Sequence, residues 1–288
     1  MNAQRPLAVV TGASRGIGLE LAGVLAAHGH DLILNAEDHE DAAAGAAAAP
    51  GAAGGSGNTS LDLATATVRA GGADAEAVPA DLATYDGVEK LCAAVRATGR
   101  PVDVLVLNAG VGQGGAFLDT ELADQARVID LNVSGTVHLA HRLLPGMVER
   151  GAGRVLITSS VASTMPGSFQ SVYNASKSFL QSFAQALAEE LRGTGVTVTS
   201  LMPGPTDTDF FRRAGMADTP LGRAPKDDPR LVARQGYQAL MAGRGKVIAG
   251  SPATRLQGAA GAVLPDRVKA AAHRLVAKPT RRRREHAG

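Results

Sequence analysis

Tryptophan is absent from this 288-residue chain, cysteine occurs once, and aromatic residues of all kinds reach only 3%. Modules that bind single-stranded nucleic acid stack bases on aromatic side chains, so the composition argues against that class and no nucleic-acid partner is expected. Cys92 has no second cysteine with which to pair, which fits a reducing compartment, and the expected localisation is cytoplasmic. No uninterrupted apolar run approaches the ~20 residues that span a bilayer. The opening Met1-Asn2-Ala3-Gln4-Arg5-Pro6 leads straight into a short apolar stretch without the pattern of a signal peptide. A strong excess of one charge is lacking too, the net charge being +2. That figure hides an asymmetry: from Pro265 onward eight Lys/Arg oppose Asp266 and Glu285, which leaves −4 for everything before them. A basic tail on a mildly acidic body is not the charge pattern of a DNA-binding protein.

What is present is material for a core: 45% hydrophobic and 19% charged residues exclude bulk disorder. Short apolar runs at residues 7–10, 31–34, 75–79, 102–107, 154–158, 197–202 and 246–249 read as strands. Longer amphipathic stretches at 17–28, 60–69, 86–97, 124–149, 172–192 and 228–242 read as helices between them. This alternation predicts an α/β fold, a single doubly wound (Rossmann-type) domain over residues 1–250, with about seven parallel strands and helices on both faces. Residues 41–57 have 14 Ala or Gly in 17 positions around Pro50 and are expected to be a flexible insertion. Residues 251–277 read as a helical extension with apolar positions at Leu256, Val263, Leu264, Val268 and Leu275. Residues 278–288, with Arg281 to Arg284, read as a basic, disordered tail.

The first strand runs into Thr11-Gly12-Ala13-Ser14-Arg15-Gly16-Ile17-Gly18 and a helix. Glycines there allow a tight turn and close approach of the backbone, and a helix N-terminus offers unpaired N–H groups to a pyrophosphate. Tyr173 and Lys177 lie four apart, on one face of a helix, where an ammonium would favour the phenolate and lower the phenol's pKa. Ser160, at the end of the fifth strand, could hydrogen-bond a carbonyl oxygen held by the tyrosine. The pairs His28/His30 and His138/His141 have no third ligand nearby, so no metal is expected. Cys92 has no adjacent His and reads as a buried, inert thiol.

Taken in order, these motifs, with Asn108-Ala109-Gly110, Asn132 and Pro203-Gly204, resemble the short-chain dehydrogenase/reductase family over about residues 6–250. The resemblance implies an NAD(P)-dependent oxidoreductase interconverting a ketone or aldehyde and an alcohol by hydride transfer, with Tyr173 as general acid/base. It implies that Lys177 tunes the phenol and holds the nicotinamide ribose, that Ser160 orients the substrate oxygen, and that Asn132 positions a water leading to Lys177. The cofactor residues it implies are Gly12, Ser14, Arg15, Gly16, Ile17, Gly18, Asp81, Leu82, Asn108, Ala109, Gly110, Tyr173, Lys177, Pro203, Gly204, Thr206 and Thr208. Asn35-Ala36-Glu37-Asp38 at the end of the second strand leans toward NAD, while Arg15 keeps NADP open. Beside Ser160, the residues Gln113, Met165, Phe169, Gln170, Phe210 and Phe211 fall on loops where such folds bind substrate, and suggest a partly apolar pocket. Residues 223–229 are polar and Pro-containing, as in a mobile lid. The expected partner is a small carbonyl or alcohol substrate, and the long helices resemble those that join subunits in this family, implying a homodimer or homotetramer. Two other readings are a non-catalytic dinucleotide-binding regulator and a surface-associated protein using the basic tail.

Overall fold

The computed structural model describes residues 4–37, 60–261 and 264–279. Alternate residues along its central strands serve different cores, which is why those strands are largely apolar on both faces. Val9, Leu105, Val155 and Ile157 point to one face of the sheet, and Ala8, Val10, Val104, Val106 and Leu156 to the other. The strands are β1 (Leu7–Thr11), β2 (Asp31–Ala36), β3 (Ala75–Pro79), β4 (Val102–Leu107), β5 (Gly153–Thr158), β6 (Val196–Pro203) and β7 (Lys246–Ala249). They form one seven-stranded sheet in the order β3-β2-β1-β4-β5-β6-β7, and every pairing is parallel.

Helices α1 (Gly16–Ala27), α2 (Ser60–Ala70) and α3 (Tyr85–Ala97) follow the first three strands. After β4 come α4 (Leu122–Ile129), a π-helical turn (Asp130–Gly135) and α5 (Thr136–Arg150). Then follow α6 (Ser171–Glu190), the short α7 (Phe210–Arg213) and α8 (Pro220–Arg223), and α9 (Pro229–Met241). One face of the sheet is covered by α3, α5 and α6 through Val88, Leu91, Leu139 and Leu180, and the other by α1, α2 and α9 through Leu21, Leu25, Leu61, Val232 and Leu240. Among the described residues no helix is long and apolar enough to cross a membrane.

Beyond β7 the stretch expected as a single helical run is two helices, α10 (Pro252–Gly261) and α11 (Asp266–Ala277). Pro265 lies between them and caps α11 in an extended conformation (φ −60°, ψ 143°), which a helix interior does not allow. Segment 223–229 is also unlike the expected mobile lid. Asp227 exchanges backbone hydrogen bonds with Pro205 and Asp207, and its carboxylate accepts from Ser251 N–H at 3.0 Å and Thr254 Oγ1 at 2.6 Å. The insertion expected at 41–57 and residues 280–288 of the tail lie outside the described residues.

Candidate active site

In the observed strand order, β1 and β4 are neighbours whose following connections leave toward opposite edges, so a crevice opens at their carboxyl ends. Thr11 and Asn108 stitch its floor. Thr11 Oγ1 accepts from the N–H groups of Asn108 and Ala109, at 2.9 and 3.0 Å, while Asn108 Nδ2 donates to Thr11 O at 3.1 Å and Asn108 Oδ1 accepts from Thr158 Oγ1 at 3.1 Å. One side chain thus ties β1, β4 and β5 together. The glycine loop folds tightly over this floor: Gly12 has φ +64°, and a Cβ there would sit 2.9 Å from Ala109 Cα. Gly18 is wedged harder, since a Cβ would come within 2.0 Å of Gly12 O. It therefore shapes the loop from behind and does not border the cavity.

The cavity has a volume of about 700 Å³. It runs from Glu37 and Asp81, past Gly12, Ser14, Arg15, Gly16, Ile17 and the Asn108-Ala109-Gly110 turn, to Ser160, Tyr173, Lys177 and Pro203-Gly204. Leu82, Thr206 and Thr208 also border it. The shape fits an extended dinucleotide, with a helix N-terminus near its middle for the pyrophosphate.

Tyr173, Lys177 and Ser160 meet at one end. The Tyr173 hydroxyl is hydrogen-bonded to Ser160. Ser160 Oγ in turn accepts from Ala162 N–H at 3.1 Å and donates to Pro203 O at 3.4 Å. Lys177 Nζ lies 5.8 Å from the centre of the Tyr173 ring and donates to Thr158 O at 2.9 Å. Phe210 covers the same ring at 5.1 Å between centroids. The expected acidification of the phenol is not what this geometry gives: burial pushes the Tyr173 pKa up to about 12, and hydrogen bonding to Ser160 only partly offsets it. Burial also pulls the Lys177 ammonium down to about 8. At neutral pH the hydroxyl therefore keeps its proton.

Asn132 is fully buried within the π-helical turn, a local widening of the helix of a kind that often marks functional sites. Its Oδ1 accepts from Val111 N–H at 2.9 Å, and its Nδ2 donates to Val111 O at 2.9 Å and Ser176 Oγ at 3.0 Å. The side chain braces the strand-four loop against α6 and leaves one lone pair of Oδ1 beyond the bond from Val111 N–H. Gly110 lies between Asn132 and Lys177: a Cβ there would meet Asn132 Oδ1 at 3.1 Å and Lys177 Nζ at 3.4 Å.

Of the expected substrate residues, Gln113, Met165, Gln170, Phe210 and Phe211 border the cavity. Phe169 does not. It packs behind the cavity with Phe211, Ala214, Met216 and Ala277, and its φ of 65° is the sole left-handed value at a non-glycine among the described residues. The structure also brings in residues that no motif marked. Arg127, from α4, reaches the Glu37–Asp81 end of the cavity, where its guanidinium donates to both oxygens of Asp81, at 3.0 and 3.2 Å, and to Glu37 at 2.5 Å. Those bonds, Asp81's above all, raise its already high pKa. At the opposite end, α11 supplies Val268, Lys269, Ala272, His273 and Val276. Three of the four paired histidines have other partners: His138 contacts Glu89 at 2.8 Å, while His28 and His30 bond to backbone carbonyls of α1. Burial raises the Cys92 pKa, which leaves the thiol inert at neutral pH.

Comparison with known proteins gives concordant matches. The family model for short chain dehydrogenase matches residues 52–218. A 3-oxoacyl-[acyl-carrier-protein] reductase from Synechocystis sp. is 33% identical over 204 residues, which is 71% of this chain and 75% of the relative. Among solved structures, a short-chain dehydrogenase from Sphingobium yanoikuyae in complex with NADPH superposes with a TM-score of 0.73 at 28% identity, over 89% of this chain and 93% of that one. A short chain dehydrogenase/reductase from Burkholderia phymatum in complex with NAD gives a TM-score of 0.74 at 26% identity, over 90% and 93% of the two chains.

Proposed function

Because this chain belongs to the short-chain dehydrogenase/reductase family and is an NAD(P)-dependent oxidoreductase, we propose that it interconverts a ketone or aldehyde and an alcohol with Tyr173 as the proton donor and acceptor. The observation that carries this reading is the Tyr173 hydroxyl bonded to Ser160 at the end of a dinucleotide-shaped cavity. A carbonyl oxygen placed between those two hydroxyls would accept hydrogen bonds from both, and the charge developing on it would be met by the proton of Tyr173. A nicotinamide dinucleotide, when bound, supplies or accepts the hydride. The glycine loop would hold its pyrophosphate, Asp81 and Leu82 its adenine, Lys177 its nicotinamide ribose, and Pro203, Gly204, Thr206 and Thr208 the nicotinamide end. Phe210, packed on the Tyr173 ring, would shield the hydroxyl from water during proton transfer. The test is a panel of ketones and alcohols assayed with both cofactors; failure to turn over any carbonyl compound while the nucleotide binds would remove the proposal.

The cofactor in this reading is NAD. Glu37 directly follows β2; Arg127 pairs with it and with Asp81, so a 2′-phosphate there would meet two carboxylates against one guanidinium, and Arg15 is paired with Asp209 at 3.5 Å. Like unit charges about 4 Å apart cost roughly 1–4 kcal/mol between bulk water and a partly shielded site. Titration followed by nucleotide fluorescence is therefore expected to show NADH binding at least about tenfold tighter than NADPH. The opposite order would defeat the assignment.

The same reading includes a homodimer or homotetramer. Phe117, Ile129 and Phe179 line one shallow apolar hollow, and Leu118 and Leu122 are exposed as well, more apolar surface than a solvated helix face needs. Light scattering at micromolar concentration should give an even multiple of the chain mass, and a monomer would refute this.

A further inference from the structure

The terminal helix α11 is fastened to the loop that links Ser160 to Tyr173. Lys269 Nζ donates to Thr164 O at 2.8 Å, Ser168 Oγ donates to Ala270 O at 3.1 Å, and His273 Nδ1 lies 2.9 Å from Ser168 O. Ala277 closes the contact from within the cluster of Phe211, Ala214 and Met216. So fastened, α11 turns Val268, Ala272 and Val276 toward the cavity that holds Tyr173. Val268 and Val276 remain 52% and 40% exposed there, apolar surface at the cavity's mouth that an apolar ligand would cover.

Within this apolar wall one polar side chain stands out. His273 is 94% buried, being only 6% exposed, and it borders the cavity. A carbonyl oxygen can only accept, so Nδ1 carries the hydrogen that it shares with Ser168. Burial holds the ring neutral. A neutral imidazole with its proton on Nδ1 has a bare lone pair on Nε2. The nearest cation on the helix, Lys269, is committed to Thr164 O and to Asp266 at 2.8 Å.

We propose that α11 is the distal wall of the substrate site and that His273 Nε2 accepts a hydrogen bond from the far end of the substrate. The substrate is then a bulky, mainly apolar ketone or alcohol with a second hydroxyl remote from the reacting carbon. This rests on the reading of Tyr173 as the proton donor and adds the substrate class to it.

The experiment uses the full chain with NADH, tetralone, and tetralones carrying one hydroxyl in turn at each free position of the ring away from the carbonyl. At least one hydroxytetralone should exceed tetralone in kcat/KM by roughly tenfold, mostly through KM, as one well-placed hydrogen bond would give. In His273→Asn the amide can still donate to Ser168 O but offers no acceptor at the Nε2 position, and the preference should fall to within about twofold. In His273→Gln, whose amide reaches that position, much of the preference should return. A preference missing from the wild type, or persisting in His273→Asn, overturns the proposal. So does a uniform loss on all the ketones, which would mark His273 as merely structural. If no tetralone is reduced, the substrate class falls. The reading of Tyr173 is judged separately, by NADH binding and by the effect of Tyr173→Phe on whichever carbonyl compound is turned over.

Discussion

Tyr173→Phe is expected to lower kcat for carbonyl reduction by about 10²–10⁴-fold, the usual contribution of a positioned proton donor. NADH binding should stay within about threefold, because the ring and its contact with Phe210 at 5.1 Å are kept and the lost hydroxyl is bonded to Ser160, not to the adenosine end. Rapid-mix fluorescence for binding and steady-state rates for turnover separate the two quantities. Survival of turnover to within a few-fold would remove Tyr173 from the chemistry. The pH dependence of the wild type gives an independent check. With the phenol pushed up to about 12, the donor stays protonated through neutral pH, so reduction should not titrate with it there. Lys177, drawn down to about 8, loses its charge as pH rises through that value, and with it the cation that stabilises the developing phenolate. Reduction should therefore be level below pH 8 and decline above it. Alcohol oxidation, which needs the phenolate, should gain with alkalinity until the loss of the cation limits it. A reduction rate that climbs through this range would contradict the assignment.

Gly18→Ala is expected to be as damaging as the loss of the tyrosine, for a different reason. The new methyl carbon would stand 2.0 Å from Gly12 O and 2.6 Å from Asn108 Nδ2. Neither neighbour can retreat, because Gly12 sits against Ala109 in a left-handed conformation and Asn108 ties together three strands. Relief requires the loop to move. We expect a loss of roughly 3 kcal/mol or more of stability, at the upper end of overpacking effects, and no measurable NADH affinity. Gly23→Ala, one and a half turns along α1, is the control: a Cβ there meets nothing within 4 Å. Removing a glycine from an exposed helix interior should raise stability by about 0.5–1 kcal/mol. Thermal melts of the pair decide it, and equal behaviour of the two would show that the wedge does not constrain the loop.

The architecture was legible because the strands are short, largely apolar runs and the helices have a three-to-four spacing; both patterns survive without knowledge of what packs where. The glycine loop, Ser160, Tyr173 and Lys177 were legible because their spacing is local or fixed by the ends of strands. Arg127 and His273 were not. Arg127 reaches Asp81 and Glu37 across 46 and 90 residues of chain, and nothing in the sequence around α4 marks it as facing a cavity. His273 lies beyond the last strand, where the family resemblance stops. The ordering of Asp227 and the break at Pro265 differ in kind. Proline signalled the break openly, whereas Asp227 is held by Thr254, a partner 27 residues away, and polar composition alone suggested mobility.

The fastening of α11 bears on how the protein matures. Lys269 and Thr164 are separated by 105 positions, so the loop between the two hydroxyl-bearing residues gains its last support from chain made long after it. Contacts of such separation form late in folding, once the intervening strands are in place. Every residue assigned to the dinucleotide precedes α11 in the chain, so a folding intermediate that lacks only the docking of α11 would keep its nucleotide crevice and lack the far side of its substrate chamber. Ligand selectivity would in this sense be completed by the docking of one helix, apart from the capacity to hold a dinucleotide.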